Sequence, residues 1–273
     1  MSQPLSDLKL TDRQRRELEY HKQHAAKHGH GHIAERVRFD SLDPQQTRWW
    51  NDHWEMYRNL RTMDLRGRNA LVIGCGFGHD ALRLAKLSTH VDAFDLSNEE
   101  LNVARALAHQ EGLEINFRQM PAECMDYPDA QFDVVFVKGI LHHCEINQVM
   151  AEVRRVCKPG ALCIINEPYT HSALQRIRES RFVSKVIYPR LRSFIYSGQP
   201  YITQDERKLN ERDLAMLQHS FTLASTQYFY GFVGRVVPQR ITAFTKLDRI
   251  LLWAVGPLGR LLAGRFVIMG HLA

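Results

Sequence analysis

The chain has 273 residues, of which 44% are apolar and 24% charged, and its formal net charge is +6. This is the composition of a soluble globular protein with enough apolar residues for one large domain, and its mild positive charge permits an anionic partner without requiring one. No CxxC pair occurs among Cys75, Cys124, Cys144, Cys157 and Cys163, which argues against a disulfide framework or a zinc site and for reduced thiols in a cytoplasmic protein.

Residues 1–60 are polar and contain a histidine cluster, and we predict an N-terminal helical cap segment here. The first 20 residues lack the apolar run of a secretory signal. The histidines at 21, 24, 28, 30 and 32 raise the possibility of a metal site, but no acidic or cysteine partner lies near the i, i+4 pair His24/His28. Gly29 and Gly31 are expected to break the helix. We therefore expect a flexible polar segment and no metal.

Between residues 61 and 168 apolar runs alternate with helical patterns, as expected of an α/β core. Helices are predicted from Asp80, from the capping-box pair Ser97 and Glu100, and from Ile146. The predicted strands are 70–73, 91–94, 115–119, 132–137 and 161–166. Strands separated by such helices indicate right-handed βαβ units, so the predicted fold class is α/β with a doubly wound, mostly parallel sheet.

The regular alternation of predicted strands and helices ends after Pro168. Residues 169–209 are predicted to be a lid insertion. Its run of basic residues is interpreted either as a solvated helix face or as a site that binds phosphate or lipid headgroups. Residues 210–231 continue the core. The apolar stretch at 232–264 is interpreted either as a pair of helices packed over the active site or as an interfacial amphipathic helix that contacts a membrane. Its longest apolar run, 250–259, is half of a membrane span.

A glycine-rich loop follows the first predicted strand in the stretch ALVIGCGFGHDALRLA, which begins at Ala70. Such a loop places backbone N–H groups and a helix N-terminus at the carboxyl edge of a parallel sheet, where ligands bind in doubly wound folds. The dinucleotide fingerprint requires a third glycine where this chain has His79. The chain instead reads G-x-G-x-G, with Gly78 third, and no Walker lysine follows.

A carboxylate ends the second predicted strand, in the stretch VDAFDLS. At that place Asp95 is positioned to accept hydrogen bonds from both hydroxyls of a ribose. The site therefore suits a nucleoside without a dedicated phosphate cradle. S-adenosylmethionine fits that description, because it carries a ribose, an adenine and an amino-acid tail but no phosphate.

From about Gly67 to Pro168 the chain resembles the class I S-adenosylmethionine-dependent methyltransferases, in particular the small-molecule group called type 11. Besides the two stretches above, the resemblance rests on PAECMDYPDAQFDVVFVKGILHH and EVRRVCKPGALCIINEP. Four such stretches in order, at family spacing, identify the family better than any one alone. The resemblance implies a Rossmann-like, seven-stranded sheet whose last strand, at 265–273, is antiparallel, with helical lid insertions.

The resemblance also implies roles for residues of the cofactor site. Gly74, Cys75 and Gly76 would line the methionine moiety, with Gly78 and Asp80 completing the loop. Asp95 would hold the ribose and Leu96 would lie beside the adenine. The remaining predicted cofactor residues are Ala122 and Glu123 at the adenine ring and Lys138 and Gly139 beside the sulfonium. One departure is Val72, which stands where the family often has an acidic residue.

A methyl transfer needs a general base only if the acceptor must lose a proton. The candidates are His143, His142, His21 and Glu167; His143 is equally open to a structural role near the cofactor. His21 belongs to an E-Y-H start that resembles some relatives, in which the N-terminal segment folds over the cofactor.

The predicted function is methyl transfer to oxygen or nitrogen of a small or amphiphilic, lipid-like or anionic metabolite. The alternatives are a nicotinamide-dependent oxidoreductase and a non-catalytic protein that retains the cofactor. Nucleic acid is not expected as a partner, because no aromatic–basic interleave or recognition helix is present.

Overall fold

A computed structural model describes residues 10–35, 37–45, 51–87, 89–180, 207–231 and 242–273. Its centre is a seven-stranded sheet in the order β3-β2-β1-β4-β5-β7-β6. The strands are β1 (Asn69–Ile73), β2 (His90–Asp95), β3 (Ile115–Gln119), β4 (Phe132–Lys138), β5 (Cys157–Pro168), β6 (Phe221–Phe229) and β7 (Arg265–Leu272). The first five run parallel, and β7 is antiparallel to both of its neighbours, β5 and β6. The doubly wound α/β prediction is confirmed.

The described helices are α1 (Asp12–Ala34), α2 (Asp52–Leu60), α3 (His79–Lys86), α4 (Asn98–Gln110), α5 (Ile146–Val156), α6 (Ser172–Glu179), α7 (Glu211–Gln218), α8 (Thr242–Ala254) and α9 (Gly259–Leu262). They cover both faces of the sheet. In β4, for example, Val135 and Val137 pack into one apolar layer, and Val134 and Phe136 into the layer on the opposite face. Such two-sided burial explains why the parallel strands read as continuous apolar runs.

The prediction that Gly29 and Gly31 break the first helix is wrong. Helix α1 runs through both of them. Each glycine costs a helix interior only about 1 kcal/mol relative to alanine, which tertiary packing can offset. Gly29 is buried against α4, where a Cβ would lie 2.9 Å from Val103 Cγ2, so its lack of a side chain allows the two helices to approach closely.

The strand β5 begins earlier than predicted. The predicted strand is 161–166, whereas β5 spans Cys157–Pro168, and its pairing with β4 shifts register between Phe132 and Val134. A register shift of this kind is how a strand accommodates an irregular segment without leaving the sheet.

The apolar stretch near the C-terminus forms two helices, α8 and α9, joined by a 3-10 turn at Gly256–Leu258. The two helices leave several of their apolar side chains uncovered. Leu247, Ile250, Ala254 and Leu258 are exposed, and Leu251, Leu261 and Leu262 are half-buried. The inward face of α8 carries Asp248 and Leu252 instead. Residues 181–206 and 232–241, parts of the predicted lid, lie outside the described residues, as do four basic positions, Arg181, Lys185, Arg190 and Arg192.

Candidate active site

A cavity of about 340 Å³ lies at the carboxyl edge of β1, β2 and β4, beneath α1. Ten of the eleven predicted cofactor residues line it: Gly74, Cys75, Gly76, Asp80, Asp95, Leu96, Ala122, Glu123, Lys138 and Gly139. The parallel topology explains this convergence, because each of these residues follows the end of a strand at the same edge of the sheet.

The glycine loop turns sharply from β1 toward α3. Gly74 and Gly76 both have positive φ angles, +63° and +51°, and a Cβ on Gly74 would lie 2.3 Å from Ile140 Cδ1. Glycine is therefore required at position 74 by both conformation and space. The Cys75 N–H donates to the carbonyl of Phe94, which holds the loop against β2.

Gly78 does not line the cavity, in contrast to the prediction. It has a φ of +80° at the start of α3, and a Cβ there would lie 2.7 Å from the Cβ of Ala104. Its role is to let α3 pack closely on α4. The third glycine of the loop thus serves helix packing, and the first two shape the cavity.

Asp95 is held rigidly at the end of β2. One carboxylate oxygen accepts from the Gly76 N–H and the other from the Ser97 N–H, each at 2.9 Å. Burial and the nearby Glu100 carboxylate raise the pKa of Asp95. Since each carboxylate oxygen has two lone pairs, both retain capacity for a ligand hydroxyl. This geometry fits a ribose diol.

Glu100 is a site residue that sequence analysis assigned only to a helix cap. Its backbone N–H does donate to Ser97 Oγ, but its side chain lines the cavity and reaches α1 instead of closing a capping box. Its Oε1 lies 3.1 Å from His21 Nδ1 and 3.0 Å from His24 Nδ1. This contact depends on how α1, which is distant in the chain, packs over the cavity, so no local sequence pattern indicates it.

Helix α1 lies over the cavity and is attached at several points. The Arg13 guanidinium donates to the His142 carbonyl and Gln14 donates to Glu123, each at 2.9 Å. Burial alone would lower the pKa of His21, but the carboxylate of Glu100 raises it above its usual value overall. His21 therefore lines the cavity as part of a helix that closes over the ligand.

His143, the first candidate base, lines the same cavity. Its Nδ1 is buried 3.2 Å from Glu17 Oε1 of α1, out of line for a linear hydrogen bond. Because Nδ1 faces Glu17, Nε2 is the ring nitrogen that we assign to a ligand. Catalytic hydrogen bonds of this kind are commonly poorly aligned before a ligand binds.

His142 and Glu167, two further candidate bases, do not line the cavity. Glu167 is fully buried and accepts from the backbone N–H groups of Ile140 and Leu141, at 2.8 and 2.9 Å. Its other oxygen lies 2.7 Å from His142 Nδ1. Through these contacts the Glu167 carboxylate fixes the turn that carries His143.

Asp80 places a carboxylate at the cavity wall, whereas Val72 is buried in the core. Tyr57 Oη donates to Asp80 at 2.8 Å, and Lys138 Nζ lies 3.0 Å from it. Burial would raise the pKa of Asp80, but Lys138 and Arg83 hold it well below its usual range. Asp80 is thus ionised at the cavity wall beside a cation.

Arg265, which sequence analysis did not select, also lines the cavity. Its guanidinium donates to the buried Asn166 side chain at 2.8 Å, and its Nε lies 3.7 Å from the buried carboxylate of Asp52. No motif marks this residue, because it lies at the start of the last strand. The described residues contain no cluster of three or more metal-ligating side chains.

Comparison with known proteins places the fold in a family. The sequence profile of the methyltransferase domain family matches residues 71–165. A ubiquinone biosynthesis O-methyltransferase of Methylococcus capsulatus is 32% identical over 143 residues, which are 47% of this chain and 59% of that protein. The chain thus matches little more than half of the length of such curated relatives. Residues 71–165 of this chain therefore form a methyltransferase domain.

Solved structures show the same fold at low identity. The YcgJ protein from Bacillus subtilis aligns with a TM-score of 0.52 at 17% identity, covering 81% of this chain and 98% of its own. The [4+2]-cyclase SpnF aligns with a TM-score of 0.53 at 17% identity, covering 92% and 95%. The cofactor of the methyltransferase domain, S-adenosylmethionine, fits the cavity: the Asp95 carboxylate suits its ribose, and Gly74 and Gly76 leave the loop without side chains at the cavity wall. No helix in the described ranges combines the length and apolar character needed to cross a bilayer.

Proposed function

We propose that this chain transfers a methyl group from S-adenosylmethionine to a hydroxyl oxygen or an amine nitrogen of a small or amphiphilic acceptor. The observation that carries this proposal is one cavity lined both by groups suited to the cofactor and by a candidate base. The glycine loop and the Asp95 carboxylate supply the first, and His143 is the second. A cofactor held by the loop and Asp95 would leave room for an acceptor beside His143.

The roles of the individual residues follow from the chemistry of methyl transfer. The bound cofactor supplies a methyl carbon on a positively charged sulfur. Methyl transfer requires nucleophile, carbon and leaving sulfur to lie in line, so alignment is the main contribution of the protein. Gly74, Gly76 and Asp95 fix the cofactor side, and the turn held by Glu167 fixes the acceptor side.

Oxygen is the favoured acceptor atom, since a hydroxyl group must lose its proton and a base is in place. His143 Nε2 takes that proton, and the neighbouring Glu17 carboxylate stabilises the resulting imidazolium. Similarity to relatives named ubiquinone biosynthesis O-methyltransferase supports the same choice. Arg265 would favour an acceptor with a carboxylate or other anionic group near the reacting atom.

Two alternatives are disfavoured by particular features. A nicotinamide-dependent oxidoreductase would require a pyrophosphate cradle, and α3 begins with His79 where that cradle needs glycine. The second alternative is a cofactor-binding protein without methyl transfer, since the structurally similar SpnF is a [4+2]-cyclase. The presence of a buried Glu17–His143 pair at the cavity favours catalysis.

The test is transfer of labelled methyl from S-adenosylmethionine to a panel of phenols, catechols, aliphatic alcohols and amines, some with a carboxylate. We expect label on a hydroxylated acceptor and a loss of about 100-fold or more in rate for His143→Ala. The matched control is His219→Ala, an exposed histidine outside the cavity. Tight cofactor binding with no transfer to any acceptor would instead support the non-catalytic alternative.

A further inference from the structure

Helix α8 presents an apolar ridge to the surface. Leu247, Ile250 and Trp253 follow each other at helical spacing and are 41%, 58% and 82% exposed, and Leu258, in the turn that follows, is 61% exposed. We call these four residues the α8 ridge. Single exposed apolar side chains are ordinary, but a contiguous row that includes a tryptophan marks an interaction surface.

The opposite face of α8 is fixed to the core, so the helix cannot turn its ridge inward. The Gly231 N–H donates to the buried carboxylate of Asp248 at 3.2 Å. Leu252, 9% exposed, packs so closely on Gly231 that a Cβ there would lie 2.5 Å from its Cδ2. Rotation of α8 would break both contacts, and therefore the ridge is a permanent feature of the folded surface.

The exposed charges that the segment itself places beside the ridge are of one sign. Arg249 and Arg260 are both exposed beside it. The one acidic residue between positions 242 and 264, Asp248, is the buried anchor and contributes no exposed negative charge to this face. The surface therefore combines aliphatic side chains, a tryptophan and exposed arginines.

We propose that the α8 ridge docks on the surface of an anionic lipid bilayer. Aliphatic residues insert at the boundary of headgroups and acyl chains, tryptophan prefers that boundary, and arginines at the rim meet anionic headgroups. A second copy of this chain fits less well, because a two-fold contact through the ridge would bring the same arginines from both copies face to face.

The position of α8 gives this docking a consequence for the cavity. Strand β6, which leads toward α8, ends at Phe229 opposite Arg265, and Arg265 lines the cavity. Docking through the ridge thus holds the ligand-binding edge of the sheet near the lipid. The proposal does not depend on methyl transfer, since it rests on the exposed face alone.

The test is co-sedimentation of the full chain with vesicles of phosphatidylcholine alone and with vesicles of phosphatidylcholine and phosphatidylglycerol in equal parts. We expect binding to the anionic vesicles that weakens at high salt. The double variant Ile250→Ser/Trp253→Ser should bind the anionic vesicles with an affinity lower by about tenfold or more. Arg249→Glu should lower binding to the anionic vesicles specifically.

The matched control is Leu223→Ser, because Leu223 is 75% exposed on β6, away from the ridge. Its vesicle binding should equal that of the unaltered protein, and all variants should keep the same circular dichroism and melting temperature. Vesicle binding that the ridge variants leave unchanged would overturn the proposal. So would an absence of vesicle binding together with a dimer, seen by analytical ultracentrifugation, that the ridge variants abolish.

Discussion

Glu17 and His143 form a buried pair, with Oε1 and Nδ1 3.2 Å apart, although they come from the N-terminal helix and from the turn after β4. Helix α1 therefore helps to position His143, the candidate base. A carboxylate on Nδ1 favours the tautomer that carries its proton there and leaves Nε2 as the acceptor.

This pairing predicts that Glu17→Gln lowers the turnover number for methyl transfer by about tenfold with little change in KM. Nitrogen NMR of labelled histidine should also show a mixture of His143 tautomers in the variant. Glu19→Gln is the control, since Glu19 lies on the same helix, exposed, and accepts a hydrogen bond from Gln23. A variant with unchanged turnover and tautomer would mean that Glu17 only attaches the helix.

The second prediction concerns Asp95→Asn and binding of S-adenosylhomocysteine, the demethylated product of the cofactor. Loss of charge-assisted hydrogen bonds to the ribose should cost about 2–4 kcal/mol, or about 30- to 1000-fold in affinity by calorimetry. The amide has only one oxygen, so it can keep only one of the two contacts with the Gly76 and Ser97 N–H groups. We therefore expect the fold to be retained, with a melting temperature lowered by about 2–4 °C.

The control for Asp95 is Asp92→Asn on the same strand, where the carboxylate pairs with Asn116 outside the cavity. Its affinity should match that of the unaltered protein, and NAD should show no binding in any of the three proteins. Less than a threefold loss for Asp95→Asn would mean that other groups hold the ribose.

The third prediction concerns pH and the closure of α1. The pKa of His21 is raised in the folded protein by Glu100, with smaller contributions from Asp95 and Glu17, so the protonated form favours docking of the helix. His24 shares the same Glu100 oxygen. A raised folded pKa gives stabilisation that is present below the ordinary histidine value, about 6.5, and is lost as pH rises through the folded value.

Hydrogen exchange of the α1 amides, corrected for intrinsic rates, should thus become faster between about pH 6 and pH 8. His21→Gln should remove that dependence. His28→Gln, at an exposed position of the same helix, should retain it. Equal protection at both ends of the range in the unaltered protein would contradict a role for His21 in closure.

The fourth prediction concerns truncation after Gln239. This removes β7, which pairs with β5 on one side and β6 on the other. Both strands would then present unpaired edges, and we expect aggregation in size-exclusion chromatography and no cofactor binding. The ridge variant Ile250→Ser/Trp253→Ser, which leaves the sheet intact, should elute as the unaltered protein does. A monomeric truncated protein that binds cofactor would show that β7 is dispensable.

Local patterns predicted the cofactor half of the site. The apolar run before Gly74 and the strand before Asp95 both define strand ends, and parallel topology brings strand ends together. The contacts of Glu17 and Glu100 with α1 could not be predicted, because they depend on where a distant helix docks. The α8 ridge shows a third case: periodicity indicates which residues share a face, but the buried Asp248 decides which face turns inward.

The position of β7 has a consequence for synthesis of the chain. Among the described strands, β6 pairs only with β7, and β7 is made last. On the ribosome the parallel strands β1 to β5 can assemble while β6 still lacks its partner. Such non-local pairing is intrinsically slow and leaves a strand edge open to association in the meantime. The step that inserts β7 is therefore where chaperone assistance would most affect the yield of this protein.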